Sequence, residues 1–172
     1  MGIVYIMQTI SEEQLYRCTE LLAATLKQFD LTLASAESCT GGWLAKCCTD
    51  LAGSSAWFDG GIVSYSNQFK HDFLGVKQQT LDQFGAVSEQ AAIEMAQGVL
   101  TNTSADISVA ITGIAGPAGG SEAKPVGTIW LAWQTKQGLI ITALHHFDGD
   151  RDSIRSQAVM AALQGIIKNA RD

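Results

Sequence analysis

A single α/β domain, with a mixed β-sheet covered by helices on both faces, follows from three observations. Helical patterns alternate with short apolar runs through most of the chain, a hairpin-like pair of runs comes late, and no linker, repeat or low-complexity tract divides the 172 residues. Hydrophobic residues make up 47% of the chain and charged residues 16%, enough apolar material for one core spanning 1–172.

Ser11 to Gln28 opens on a Ser-Glu-Glu capping pattern and sets Leu15, Cys18, Leu21, Leu22 and Leu26 at helical spacing, so the first helix offers an apolar stripe to a sheet. Leu31 to Ala36 predicts a strand, Thr40-Gly41-Gly42 a turn, and the following residues a helix through Asp50. Gly60 to Tyr65 reads as the second strand, and Ser66-Asn67 caps a helix that carries Lys70 and Phe73. Val87-Ser88-Glu89-Gln90 introduces a helix to about Leu100, with Ala91, Ala92, Met95, Ala96 and Val99 on its buried face.

Ile107 to Ile111 is an apolar strand running into Thr112–Gly120, a glycine-rich segment suited to a ligand loop at a strand's carboxyl end. Gly127 to Gln134 and Leu139 to Phe147 form a hairpin through Lys136-Gln137-Gly138, and a last helix runs from about Asp152 to Lys168. Trp43, Trp57, Trp130 and Trp133 suit a core better than an interface; a homo-oligomer, a dimer first, is the other reading.

Eleven Lys and Arg face 17 Asp and Glu for a net charge of -6, which argues against a nucleic-acid partner or an anionic membrane surface. No apolar run reaches the length of a membrane span, and the opening MGIVYIMQTISEEQ lacks a basic region and a cleavage site, so a cytoplasmic protein is expected. Cys18, Cys39, Cys47 and Cys48 form no CxxC pair and the chain has three histidines, so reduced thiols are expected and neither a metal nor a cofactor. Neither glycine cluster matches a P-loop or a dinucleotide fingerprint, which disfavours an ATPase or dehydrogenase.

Chemistry concentrates between Ser38 and Lys70, where two glycine-flanked serine clusters, a tyrosine and a lysine share one stretch. Ser54 and Ser55 need a base, and Lys70 can act as one if burial lowers its proton affinity; Tyr65 stands ready to relay a proton or donate to an oxyanion. Alone, each has a plain structural reading, as turn, cap or solvated cation. Ser38, Thr40, Gly41 and Gly42 sit at a predicted helix N-terminus, where an anion or an ordinary N-cap fits. Cys39 is a rival nucleophile without a nearby histidine, and His145 and His146 point to opposite faces of one strand. Arg151 or Arg155 can offer an anion a guanidinium fork.

The segments TLASAESCTGGWLA, DLAGSSAWFDGGIVSYSNQFK, FGAVSE, ITGIAGPAGGSEAKPVGTIW and FDGDRDSIR together resemble the C-terminal domain of CinA-type competence/damage-inducible proteins, in its stand-alone amidase form, over about residues 11–168. The resemblance implies a three-layer α/β/α fold and metal-free hydrolysis of the carboxamide of nicotinamide mononucleotide to nicotinic acid mononucleotide and ammonia, in pyridine-nucleotide salvage. It also implies Ser55 as nucleophile, Lys70 as base and Tyr65 as relay. Ser38, Thr112, Gly113, Gly116 and Arg151 then fall in the substrate shell, with Arg155 as the alternative to Arg151. The rival reading is a non-catalytic nucleotide-binding or competence-linked regulatory module.

Overall fold

The computed structural model describes residues 9–170; the opening MGIVYIMQ, read above for the absence of a leader, lies outside them. Among the described residues five strands form one sheet in the order β2-β1-β3-β4-β5. They are β1 (Leu33–Glu37), β2 (Phe58–Val63), β3 (Ile107–Gly113), β4 (Thr128–Thr135) and β5 (Ile140–His146). The first three run parallel, while β4 and β5 complete the sheet antiparallel, as a chain that shifts from crossover helices to a hairpin dictates.

The described residues cover it with six helices: α1 (Glu12–Gln28), α2 (Trp43–Thr49), α3 (Asn67–Leu74), α4 (Gln78–Phe84), α5 (Glu89–Thr101) and α6 (Arg151–Asn169). The short α4 and a one-turn 3₁₀ segment at Ser54–Ala56 escape the sequence pattern, because QQTLDQF and SSA are too brief to show periodicity. Ser11 caps α1 with a full capping box, Ser66 caps α3, Ser88 caps α5 and Asp150 caps α6.

Strand alternation gives the sheet two unlike faces. Leu33, Ile107, Val109, Ile111, Ile129, Leu131 and Trp133 meet α1, α2 and α6 in the larger core. Ala34, Ala36, Ala110 and Ala132 face the other way, and these small side chains let α5 sit close, with Ser108 Oγ donating to the Ala96 carbonyl at 2.8 Å. Gly98 of α5 is required where that helix meets α3, since a Cβ would lie 2.6 Å from the Leu74 carbonyl carbon.

One strand boundary shifts. β2 begins at Phe58 rather than Gly60, so the glycine pair lies inside the strand; Gly61 belongs there because a Cβ would approach Ser35 Oγ to 2.7 Å. The four tryptophans are buried or half-buried, and Trp133 donates its indole N–H to the Ala162 carbonyl at 3.0 Å. Among the described residues no helix is long and apolar enough to cross a membrane.

Candidate active site

The carboxyl ends of three parallel strands converge at one edge of the sheet: Ser38 directly follows β1, Ser64 and Tyr65 follow β2, and Thr112 and Gly113 end β3. The chain leaves β1 toward β2 on one face and returns to β3 across the other, which opens a crevice beside β1. A cavity of about 270 Å³ occupies it, lined among others by Ser38, Tyr65, Lys70, Thr112, Gly116 and Arg151. Among the described residues other clefts range from about 260 to about 740 Å³, yet none of these joins a hydroxyl to a buried amine.

Lys70 enters from α3 and is only 1% exposed. Its Nζ lies 2.9 Å from Ser38 Oγ, 2.6 Å from the Ser64 carbonyl oxygen and 3.4 Å from that of Tyr65. Among the described residues no carboxylate pairs with it. Burial without a counter-charge disfavours the ammonium and pulls the pKa from 10.5 down to about 8. A neutral amine has two N–H donors and one lone pair. With the donors spent on two carbonyls, the lone pair is left for the Ser38 hydroxyl.

Ser38 is itself anchored: its N–H donates to the Ile111 carbonyl at 2.9 Å, and the Gly41 N–H donates to its carbonyl at 3.1 Å. The expected anion site at the start of α2 is already filled. The buried Glu37 carboxylate accepts the N–H groups of Gly42, Leu44 and Ala45 at 3.1, 3.1 and 2.9 Å. Thr40, Gly41 and Gly42 line a separate groove rather than this cavity, and the helix end they form serves an internal charge.

Thr112 lines the cavity with its hydroxyl donating to the Ala86 carbonyl at 2.7 Å. Gly113 is needed for packing, since a Cβ would lie 2.7 Å from the Thr128 carbonyl oxygen; Gly116, at φ 75°, turns the loop against Val126. Arg151 lines the cavity and donates to the Gly116 carbonyl at 2.8 Å and to the Tyr65 hydroxyl at 3.2 Å. Arg155 instead donates to the carbonyls of Cys39 and Thr40, so the guanidinium at the cavity is Arg151. Cys39 borders the cavity, but burial pushes its thiol up to about 11, which removes it as a thiolate nucleophile.

Two residues expected to act beside Lys70 lie elsewhere. Ser55 is exposed on the 3₁₀ turn that precedes β2, whereas Lys70 lies beyond that strand's other end, a strand length of roughly 20 Å for six residues. The serine hydroxyl beside the Lys70 amine is that of Ser38. The Tyr65 side chain is 64% exposed, with its hydroxyl on Arg151; what reaches Lys70 is its main-chain carbonyl. The usable signal was position: Ser38 follows an apolar strand at the carboxyl end of a parallel sheet, while Gly53-Ser54-Ser55 connects a helix back to a strand at the amino end. Glu37, missed altogether, was visible as an acid closing an apolar run just before the glycine pair.

Similarity to known proteins extends over most of the chain. The chain is 52% identical over 155 residues to the nicotinamide-nucleotide amidohydrolase PncC of Escherichia coli K12, covering 90% of this chain and 94% of that protein. It is 50% identical over 159 residues to the PncC of Enterobacter agglomerans, covering 92% and 97%. The crystal structure of the competence/damage-inducible protein CihA from Agrobacterium tumefaciens superposes with a TM-score of 0.89 at 40% identity, covering 92% of this chain and 96% of that one. Residues 15–170 match the CinA C-terminal domain, and the chain belongs to that family.

Proposed function

We propose that this chain is an amidohydrolase that converts nicotinamide mononucleotide to nicotinic acid mononucleotide and ammonia, with Ser38 as nucleophile and Lys70 as its base. The observation that carries the reading is the 2.9 Å approach of Ser38 Oγ to a buried lysine amine at the carboxyl ends of three parallel strands. The names of relatives at 50% and 52% identity supply the substrate.

Neutral Lys70 takes the hydroxyl proton as Ser38 Oγ bonds to the amide carbon, giving a tetrahedral oxyanion. The C–N bond then breaks, and the Lys70 ammonium returns its proton to the departing ammonia. Water, deprotonated by the same amine, attacks the acyl-enzyme; the C–O bond to Ser38 breaks, the Lys70 ammonium returns its proton to Ser38 Oγ, and the acid product leaves as its carboxylate. The cavity lining includes the Arg151 guanidinium but neither Asp nor Glu, a balance that favours a phosphorylated substrate on an acidic protein; Arg151 holds the phosphate in this reading. A cytoplasmic setting in pyridine-nucleotide salvage accords with four free cysteines.

The test is ammonia release from nicotinamide mononucleotide by the purified chain. Ser38→Ala and Lys70→Ala are expected to lose about a thousandfold or more in kcat. Undiminished turnover by Ser38→Ala, or binding of the nucleotide by wild type without any turnover, overturns the reading.

A further inference from the structure

The turn that presents Ser38 is gripped from two sides by side chains absent from the cavity lining. It contains two left-handed glycines, Gly41 at φ 62° and Gly42 at φ 92°, and is therefore soft by composition. Gly42 is the N-cap of α2 and offers no side chain, so the cap comes from Glu37, the residue before the serine. That carboxylate, 1% exposed, holds the first three free N–H groups of the helix and so ties the end of β1 to the start of α2 across the turn.

Arg155 approaches from α6. Its Nε and one terminal nitrogen donate to the Cys39 and Thr40 carbonyls at 3.1 and 3.0 Å, and its guanidinium lies 5.2 Å from the centre of the Trp43 ring, on the first residue of α2. Asp152 holds the remaining nitrogen at 3.3 Å. Three N–H groups beyond the serine thus go to a buried anion, and two carbonyls to a fixed cation.

We propose that Glu37 and Arg155 are positioning residues that hold the Ser38 hydroxyl on the Lys70 amine. The inference rests on the reading of Ser38 as nucleophile. Its physical content is geometric: a displacement near 1 Å of a reacting group costs about a hundredfold in rate. Because neither side chain lines the cavity, the cost falls on kcat and leaves KM in place.

The experiment compares wild type, Glu37→Gln and Arg155→Ala as full chains, with circular dichroism to establish folding. Two rates are read: turnover of nicotinamide mononucleotide, and labelling of Ser38 by a fluorophosphonate followed by intact mass. In the labelling step Ser38 Oγ bonds to phosphorus, the P–F bond breaks, fluoride departs and Lys70 takes the hydroxyl proton. Both rates are expected to fall about a hundredfold in each variant, with KM within about threefold of wild type. Added guanidinium ion is expected to restore part of the loss in Arg155→Ala, a rescue that a merely destabilised protein does not show.

Folded variants that label and turn over within about threefold of wild type overturn the proposal, as does a loss confined to KM. If Glu37→Gln fails to fold, Arg155→Ala and its rescue decide the matter. A wild type that labels at Ser38 but releases no ammonia defeats the amidase reading, while the labelling rates still judge the positioning role. A wild type inert to both defeats both.

Discussion

The amine of Lys70 lies 2.6 Å from the main-chain carbonyl of Ser64, and the Ser64 N–H lies 2.7 Å from the carbonyl of Glu37. The last residue of β1 and the first residue after β2 are therefore bonded to each other, and the base is hung from that junction. Because the parallel register of β1 and β2 sets this junction, the amine's position follows from sheet geometry rather than from the length of a flexible side chain.

Activity is expected to rise with pH. Burial lowers the Lys70 pKa to about 8, and only the neutral amine can take the Ser38 proton, so kcat/KM climbs by one proton through that value and levels above it. A profile of kcat/KM flat from about pH 6 to 9 contradicts the assigned base.

The same burial has a stability cost. Between about 8 and 10.5 the unfolded chain binds a proton at Lys70 that the folded chain does not, so stability gains from this group as pH rises through that window, and below it the buried ammonium is a fixed penalty. Lys70→Met is therefore expected to be inactive yet more stable at pH 7 by about 1–2 kcal/mol, a gap that closes toward pH 10. Urea denaturation at both pH values measures it.

Ser55→Ala and Tyr65→Phe separate the two serine assignments. Ser55 is exposed at the amino end of β2, and the Tyr65 hydroxyl touches Arg151 rather than the amine, so each variant is expected to keep kcat within about threefold and stability within about 0.5 kcal/mol. Steady-state ammonia release decides; collapse of turnover in Ser55→Ala restores the serine implied by family resemblance.

Arg151→Ala is expected to raise KM about tenfold or more with a small effect on kcat, because the guanidinium faces the cavity but contacts neither Ser38 nor Lys70. Isothermal titration with inorganic phosphate and with the nucleotide reports the same loss as weaker binding.

Gly98→Ala tests the packing that delivers α3. A Cβ there would press into the Leu74 backbone at the end of the helix that carries Lys70, so a loss of about 1–3 kcal/mol is expected by urea denaturation, with reduced turnover. An unchanged midpoint shows that α5 can move away without consequence.

Periodicity and punctuation made the alternation of strand and helix readable, because capping residues such as Ser11, Ser66, Ser88 and Asp150 and the glycine turns act over a few neighbouring positions. The ingredients of the site, Ser38, Tyr65, Lys70, Thr112 and Arg151, were equally visible as residue types near strand ends. Their partnership was not. Spacing favours Ser55 over Ser38 as the mate of Lys70, 15 positions away against the |i−j| of 32 that the structure bridges. Only the parallel pairing of β1 with β2 reverses that order, since it sets the carboxyl end of one strand beside that of the other and leaves Ser55 a strand length behind. The role of Glu37 and the split between Arg151 and Arg155 were decided in the same way: a helix end, a turn and a cavity have to be assembled in space before a charge can be assigned to any of them.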